Sequence, residues 1–288
     1  MSQYQVIADG LSFPEGPVVM QDGSVIVVEI MSGQVTRCWG DGRKEVVSRP
    51  GGGPNGAATA SDGSLWVCNN GGMAPGGAPG PGRIERIDLA TGRAESVYTE
   101  CDGTPLSAPN DLMFDHDGNV WFTDLGRFAE GHSGKQFGGL YCAAGDGSWI
   151  TRIEGHCLSY NGVGVSPDWK TVYVADTYSG RVYAYDRRAE AQTARWVASV
   201  PGKTMLDSLA MTASGNVCIA TMGVGAGGAI SSVTPSGEVT MVPFDDPYVT
   251  NIAFGGADMM DAWITFSGRG ALVKTRWSEP GMKLVYNA

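Results

Sequence analysis

The chain predicts an all-β fold, a six-bladed β-propeller of four-stranded antiparallel blades around a central channel. Three observations carry this. The layout Pro109-Asn110-Asp111-Leu-Met-Phe-Asp-His-Asp117-Gly118 returns five more times along 288 residues. Each copy holds a short apolar run, a turn and a β-rich run, as in Ser24-Val-Ile-Val-Val, Leu65-Trp-Val and Val172-Tyr-Val, at periods of roughly 40–50 residues. The composition, with 43 Gly, eight Trp and ten Tyr, suits many short strands and tight turns, and no segment has a helical period.

The repeats also share a polar position. Counting back eight residues from the second residue of each turn (Gly23, Gly63, Gly118, Trp169, Gly215, Met259) lands on Glu15, Asn55, Asn110, Asn161, Asp207 and Asn251. If the following apolar run is the innermost strand of its blade, these six oxygen-bearing side chains form a ring at one mouth of the channel. Any one of them alone would read as a turn former; six in register require a common cause.

The blades follow in order, with no linker between repeats, so one domain over residues 1–288 is expected. Tyr4 to Ala8 reads as a strand before the first repeat, and Met282 to Tyr286 as a strand after the last. One of them should complete a blade begun at the other end, since closure removes exposed edges; the sequence leaves open which lies outermost. Blade one continues through Val25–Glu29, Val35–Trp39 and Glu45–Ser48. Blade two starts at Asn55 and contains a Gly/Pro-rich insertion, Asn69 to Gly82, which cannot be a strand. Blade three starts at Asn110 and carries a second insertion, Gly126 to Phe137, after its second strand. Both insertions are expected to overhang the ring mouth. Blade four, Asn161 to Asp186, is two alternating strands joined by a Ser-Gly turn. Blades five and six start at Asp207 and Asn251.

A net charge of −10 and the lack of any basic run argue against a nucleic-acid surface. The first residues have neither the basic flank nor the apolar stretch of a signal peptide, and no apolar segment is long enough to span a bilayer, so a cytoplasmic location without membrane contact is expected. Six cysteines fall singly, without Cys-x-x-Cys spacing, and are expected to be free thiols.

An all-oxygen ring of two carboxylates and four amides suits a hard divalent cation: Ca²⁺ first, Mg²⁺ or Mn²⁺ behind it. Zn²⁺ would usually want His or Cys, and no ring position has either. Six positions are too many for one ion, so Asn55 and Asn251 are assigned an outer role.

The motifs Pro14-Glu15-Gly16-Pro17, Pro109-Asn110-Asp111, Tyr160-Asn161-Gly162, Ser166-Pro167-Asp168, Tyr173-Val-Ala-Asp176 with Gly180-Arg181-Val, and Leu206-Asp207-Ser208 together resemble those of the SMP-30/gluconolactonase/luciferin-regenerating family of six-bladed propellers. The resemblance implies a divalent metal held by Glu15, Asn110, Asn161 and Asp207, and hydrolysis of small-molecule lactones, commonly of sugar acids. In such a mechanism Asp207 is the candidate catalytic base, with a ligand-only role as the alternative. Asp111 is expected to support the shell. The chain departs from the animal members at Ala108, where they carry an Arg that helps bind the sugar. Arg127, in the blade-three insertion, is the candidate replacement. The side chains expected around the mouth, Met73, Phe128, Phe137, Tyr160, Met205, Met222 and Phe266, are largely apolar and point to a less polar lactone. His116 is expected in a solvated turn; His132 is a weaker candidate for substrate contact, and His156 weaker still. Two other functions compete: a phosphotriester hydrolase on the same metal site, and a calcium-binding propeller without catalysis.

Overall fold

The computed structural model describes residues 4–72, 80–128, 135–157, 159–189 and 193–286, and among them there is no helix. Six four-stranded antiparallel sheets follow one another along the chain. Their innermost strands are Pro14–Val19, Pro54–Thr59, Pro109–Phe114, Tyr160–Val165, Met205–Met211 and Val249–Gly255. Each touches the next, and the sixth touches the first, so the blades close into a six-bladed propeller. In three blades the innermost strand opens with proline, which an edge strand tolerates because no ladder partner needs its missing N–H.

Ring closure is made by the N-terminal strand. Gln5–Ala8 pairs with Ala271–Arg276 and is the outermost strand of blade six. The C-terminal expectation is corrected: Met282 to Tyr286 forms no strand. It crosses the end of the channel opposite the ring. The Met282 amide donates to the Met211 carbonyl, and the Tyr286 carbonyl accepts the Thr59 hydroxyl at 2.7 Å. The Tyr286 ring meets Phe114 edge-on. Behind this strap lies a cavity of about 120 Å³ lined by Val18, Ala57, Val163, Leu209 and Ile252.

The turns explain the register. All six ruler residues are left-handed, with φ of 80° at Gly23, 80° at Gly63, 83° at Gly118, 60° at Trp169, 93° at Gly215 and 57° at Met259. In each, the amide donates to the carbonyl three residues back. Glycine fits four of these positions without strain, while Trp169 and Met259 hold the same turn despite their side chains. The apolar core is divided among the blade interfaces. Val18, Val28 and Leu65 pack between blades one and two, for example, and Ala220, Ile252 and Ile264 between five and six. All six cysteines are free thiols. No helix among the described residues is long and apolar enough to cross a membrane.

Candidate functional site

Each innermost strand breaks register with its neighbour at or beside the ring residue, with shifts at Glu15/Val18, Pro54/Ala57, Pro109/Leu112, Tyr160/Val163, Leu206/Leu209 and Val249/Asn251. A bulge bends the strand and re-aims a side chain that pleating would otherwise direct into the blade. The strands also approach closely here. A Cβ on Gly16 would lie 2.5 Å from the Asn55 carbonyl oxygen, and one on Gly162 would lie 2.7 Å from that of Asp207. Only glycine allows that contact.

All six ring residues are buried. The Glu15 carboxylate accepts the Asn251 side-chain amide at 2.8 Å and the Gly16 N–H at 3.0 Å on one oxygen. The Asn251 oxygen accepts the Ile252 N–H at 2.8 Å, so Asn251 holds Glu15 and, unlike Asn55, Asn110 and Asn161, has a partner for its oxygen. The Asn161 amide nitrogen donates to Thr177 at 3.1 Å, which fixes which way its oxygen faces. Asp207 accepts the Ser208 N–H at 3.1 Å. Asp111 accepts the Leu112 N–H at 2.9 Å and the Val163 N–H at 3.3 Å, joining blades three and four.

Two observations make the centre a candidate cation site. The side-chain oxygens of Asn55, Asn110 and Asn161 are buried without any hydrogen-bond partner, a state that costs a polar group about 1–3 kcal/mol unless a donor or a cation meets it. With them go three buried carboxyl groups, two of which feel the charge of the first. Burial pushes Glu15 up to about 7. Burial first, then the Glu15 charge, pushes Asp111 up to about 7. Burial and the Glu15 and Asp111 charges raise Asp207 well above the usual carboxylate range. No cationic side chain figures among the groups acting on these three. Among the described residues no three His, Cys, Asp or Glu side chains gather as a metal cluster; this donor set instead mixes carboxylates with amides. Hard oxygen donors and uncompensated negative charge fit a divalent cation. Asn55 shares the orphaned oxygen of Asn110 and Asn161, which its position in the sequence did not distinguish from that of Asn251.

Sequence reasoning missed a supporting tier at the ends of the second strands. Asp124 accepts the N–H groups of Ser107, Ala108 and Gly126 at 2.7, 2.7 and 2.9 Å. Glu29 accepts the Ser12 N–H at 2.6 Å, Asn69 the Gly53 N–H at 3.0 Å, and Asp176 the Ser159 hydroxyl. These groups hold the segments just upstream of Glu15, Asn55, Asn110 and Asn161. The recurring endings Val-Val-Glu29, Val-Cys-Asn69, Phe-Thr-Asp124 and Val-Ala-Asp176 were the available signal.

Other expected residues lie elsewhere. Tyr160 faces into the core: it is buried, and its hydroxyl lies 2.7 Å from that of Tyr185. Phe266 is likewise fully buried. Arg127 is half-buried and donates to the Gly80 carbonyl at 3.1 Å, clasping the two insertions together. Met205, Met222 and Phe137 keep some exposure. His116 is partly exposed against Trp169. Met73 and His132 lie outside the described residues, as do the side chains of Phe128 and His156.

The chain is thus a six-bladed propeller whose axis carries a buried, bulge-presented ring of oxygen donors. It belongs to the SMP-30/Gluconolactonase/LRE-like family, whose model matches residues 13–268. It is 27% identical over 202 residues to the gluconolactonase of Zymomonas mobilis, covering 63% of this chain and 54% of that protein. The chain spans about half the length of the named relatives it matches. Among solved structures, a gluconolactonase from Xanthomonas campestris superposes with a TM-score of 0.76 at 24% identity, over 93% of this chain and 87% of that one. A regucalcin from Agrobacterium tumefaciens, described as a calcium-binding protein, gives 0.76 at 20% identity, over 98% and 97%. At these identities the two structures show the fold.

Proposed function

We propose that this chain is a divalent-metal-dependent lactone hydrolase that opens a small lactone by attack of water. The observation that carries the reading is the set of orphaned amide oxygens beside carboxyl groups without a counter-ion. The name of the Zymomonas relative supports the reaction class, and the calcium named for the regucalcin neighbour supports Ca²⁺ as the first choice, with Mg²⁺, Mn²⁺ and Zn²⁺ behind it. Glu15, Asn110, Asn161 and Asp207 would hold the ion. When bound it would polarise the lactone carbonyl and acidify a water.

The protein's own groups supply the rest. Asn251 and the Gly16 N–H orient the Glu15 carboxylate. Thr177 fixes the Asn161 amide. Asp207 takes the proton from the attacking water as the new C–O bond forms at the carbonyl carbon, and returns it to the ring oxygen when the old C–O bond breaks, giving the hydroxy acid. Asp111, bound to two backbone N–H groups, adds negative charge and ties two blades together.

Proton release from a panel of lactones, run beside a fluorophosphate with and without EDTA, tests the reading. Lactone turnover that EDTA abolishes is expected. Turnover of the fluorophosphate alone would move the assignment to phosphotriester hydrolysis, and binding of Ca²⁺ without turnover of either would leave a calcium-binding propeller.

A further inference from the structure

A set of apolar side chains lies on the segments leading into the ring strands of blades one, five and six, and it begins with a strained residue. Phe13, two residues before Glu15, has φ of 58°, a conformation that is an outlier for a bulky side chain. Strain of this kind persists where the surroundings impose it and concentrates at functional sites. Here the Phe13 carbonyl accepts the Ile30 N–H at 3.1 Å and the Ser12 N–H is tied to Glu29. These are backbone bonds that glycine would make as well, so the fold does not require a phenyl ring at this position.

The ring is turned toward Tyr248, with centroids 6.2 Å apart. Tyr248 precedes Asn251 by three residues and is 45% exposed. Phe13 and Tyr248 thus stand on the segments that lead into the strands of Glu15 and Asn251, which are themselves joined by the Asn251 side-chain amide. The set continues into blade five. Met205, two residues before Asp207 and 37% exposed, is the cross-strand partner of Met222. The Gly223 N–H donates to the Pro247 carbonyl at 3.4 Å, joining the Met222 and Tyr248 segments. Arg269, on the blade-six turn at this end, is already engaged by Asp245 and Asp246 and lies over Phe266. Tyr248 and Met205 are exposed and Phe13 and Met222 half-buried, and accessible apolar side chains near a polar centre mark a place for an apolar ligand group.

We infer that Phe13, Tyr248, Met205 and Met222 form the specificity wall of the site, and that it receives an alkyl or aryl substituent on the lactone ring. This inference rests on the lactone-hydrolase reading. It identifies the substrate class as lactones with an apolar substituent in preference to polyhydroxylated ones.

The test is kcat/KM across unsubstituted, methyl, propyl and pentyl δ-lactones and gluconolactone, with Ca²⁺ saturating, in wild type, Phe13→Gly and Met205→Ser. In the wild type, kcat/KM is expected to rise about two- to fourfold per added CH₂. In both variants the rise should flatten, so that kcat/KM falls by a larger factor for the pentyl lactone than for the unsubstituted one. Phe13→Gly relieves the left-handed backbone, and a Ca²⁺-induced thermal shift equal to that of wild type would show its ring intact. Turnover with no dependence on chain length, a preference for gluconolactone, or an unchanged slope in both variants would overturn the wall and leave the lactonase reading standing. Failure to turn over any lactone with Ca²⁺, Mg²⁺ or Mn²⁺ would overturn both.

Discussion

The proposed function gives Glu15 and Asp207 different chemical duties, and conservative amides separate them. Asp207→Asn keeps one oxygen for an ion but cannot take a proton. Its kcat/KM is expected to fall at least about 100-fold while the metal Kd rises by less than about tenfold. Equal losses by kinetics and calorimetry would make Asp207 a ligand only. Glu15→Gln should show the reverse balance, mainly weaker metal binding. A third residue tests the turns. Gly63 has φ of 80° and nothing within 4 Å of where a Cβ would stand, so Gly63→Ala isolates backbone strain. It should lower unfolding free energy by about 1–2 kcal/mol in urea, with activity unchanged. At this scale the six ring positions were legible because a fixed turn residue served as a ruler. Tyr160 was misplaced because the residue before a ring position points to the opposite face of its strand, into the blade.

Among elements, the innermost strand and the end of the second strand act as a unit. The bulge aims the ring side chain, and the terminal group of the second strand holds the segment leading into it. Asp124→Ala would leave three buried N–H groups without an acceptor. It is expected to destabilise the protein by about 3 kcal/mol and to weaken metal binding, since Asn110 lies two residues beyond Ala108. A loss of stability with unchanged metal affinity would uncouple the two. The sequence made the strands legible through alternation and turn chemistry, but it could not show this tier. A carboxylate at a strand end reads as an ordinary solvated group until the bulge beside it is seen. The C-terminal segment misled for a related reason: Met-Lys-Leu-Val-Tyr has strand-like composition, yet every blade already has its fourth strand, so the apolar side chains close the channel instead.

For the whole molecule, closure is made twice, by the N-terminal strand at the rim of blade six and by the C-terminal strap across the axis. The three buried carboxyl groups set the pH response of the metal-free protein. Their folded pKa values are raised, with Glu15 and Asp111 up to about 7. In the unfolded chain such groups titrate near 4. Between about pH 4 and pH 7 the unfolded state therefore sheds protons that the folded state retains, and these groups lower stability as pH rises through that window. Metal-free melts should show this decline from pH 5.5 to 7.5, and saturating Ca²⁺ should raise Tm more at 7.5 than at 5.5. An equal Ca²⁺ shift at both would detach these carboxyl groups from the ion. The central claim, one oxygen-ring cation required for lactone hydrolysis, is met most directly by stripping the protein of metal and titrating Ca²⁺ back while following hydrolysis and calorimetric stoichiometry together. Activity should be absent at the start and return in step with filling of the ring site, with Glu15→Gln shifting both curves alike. Full lactone turnover by the metal-free protein in excess chelator would contradict it.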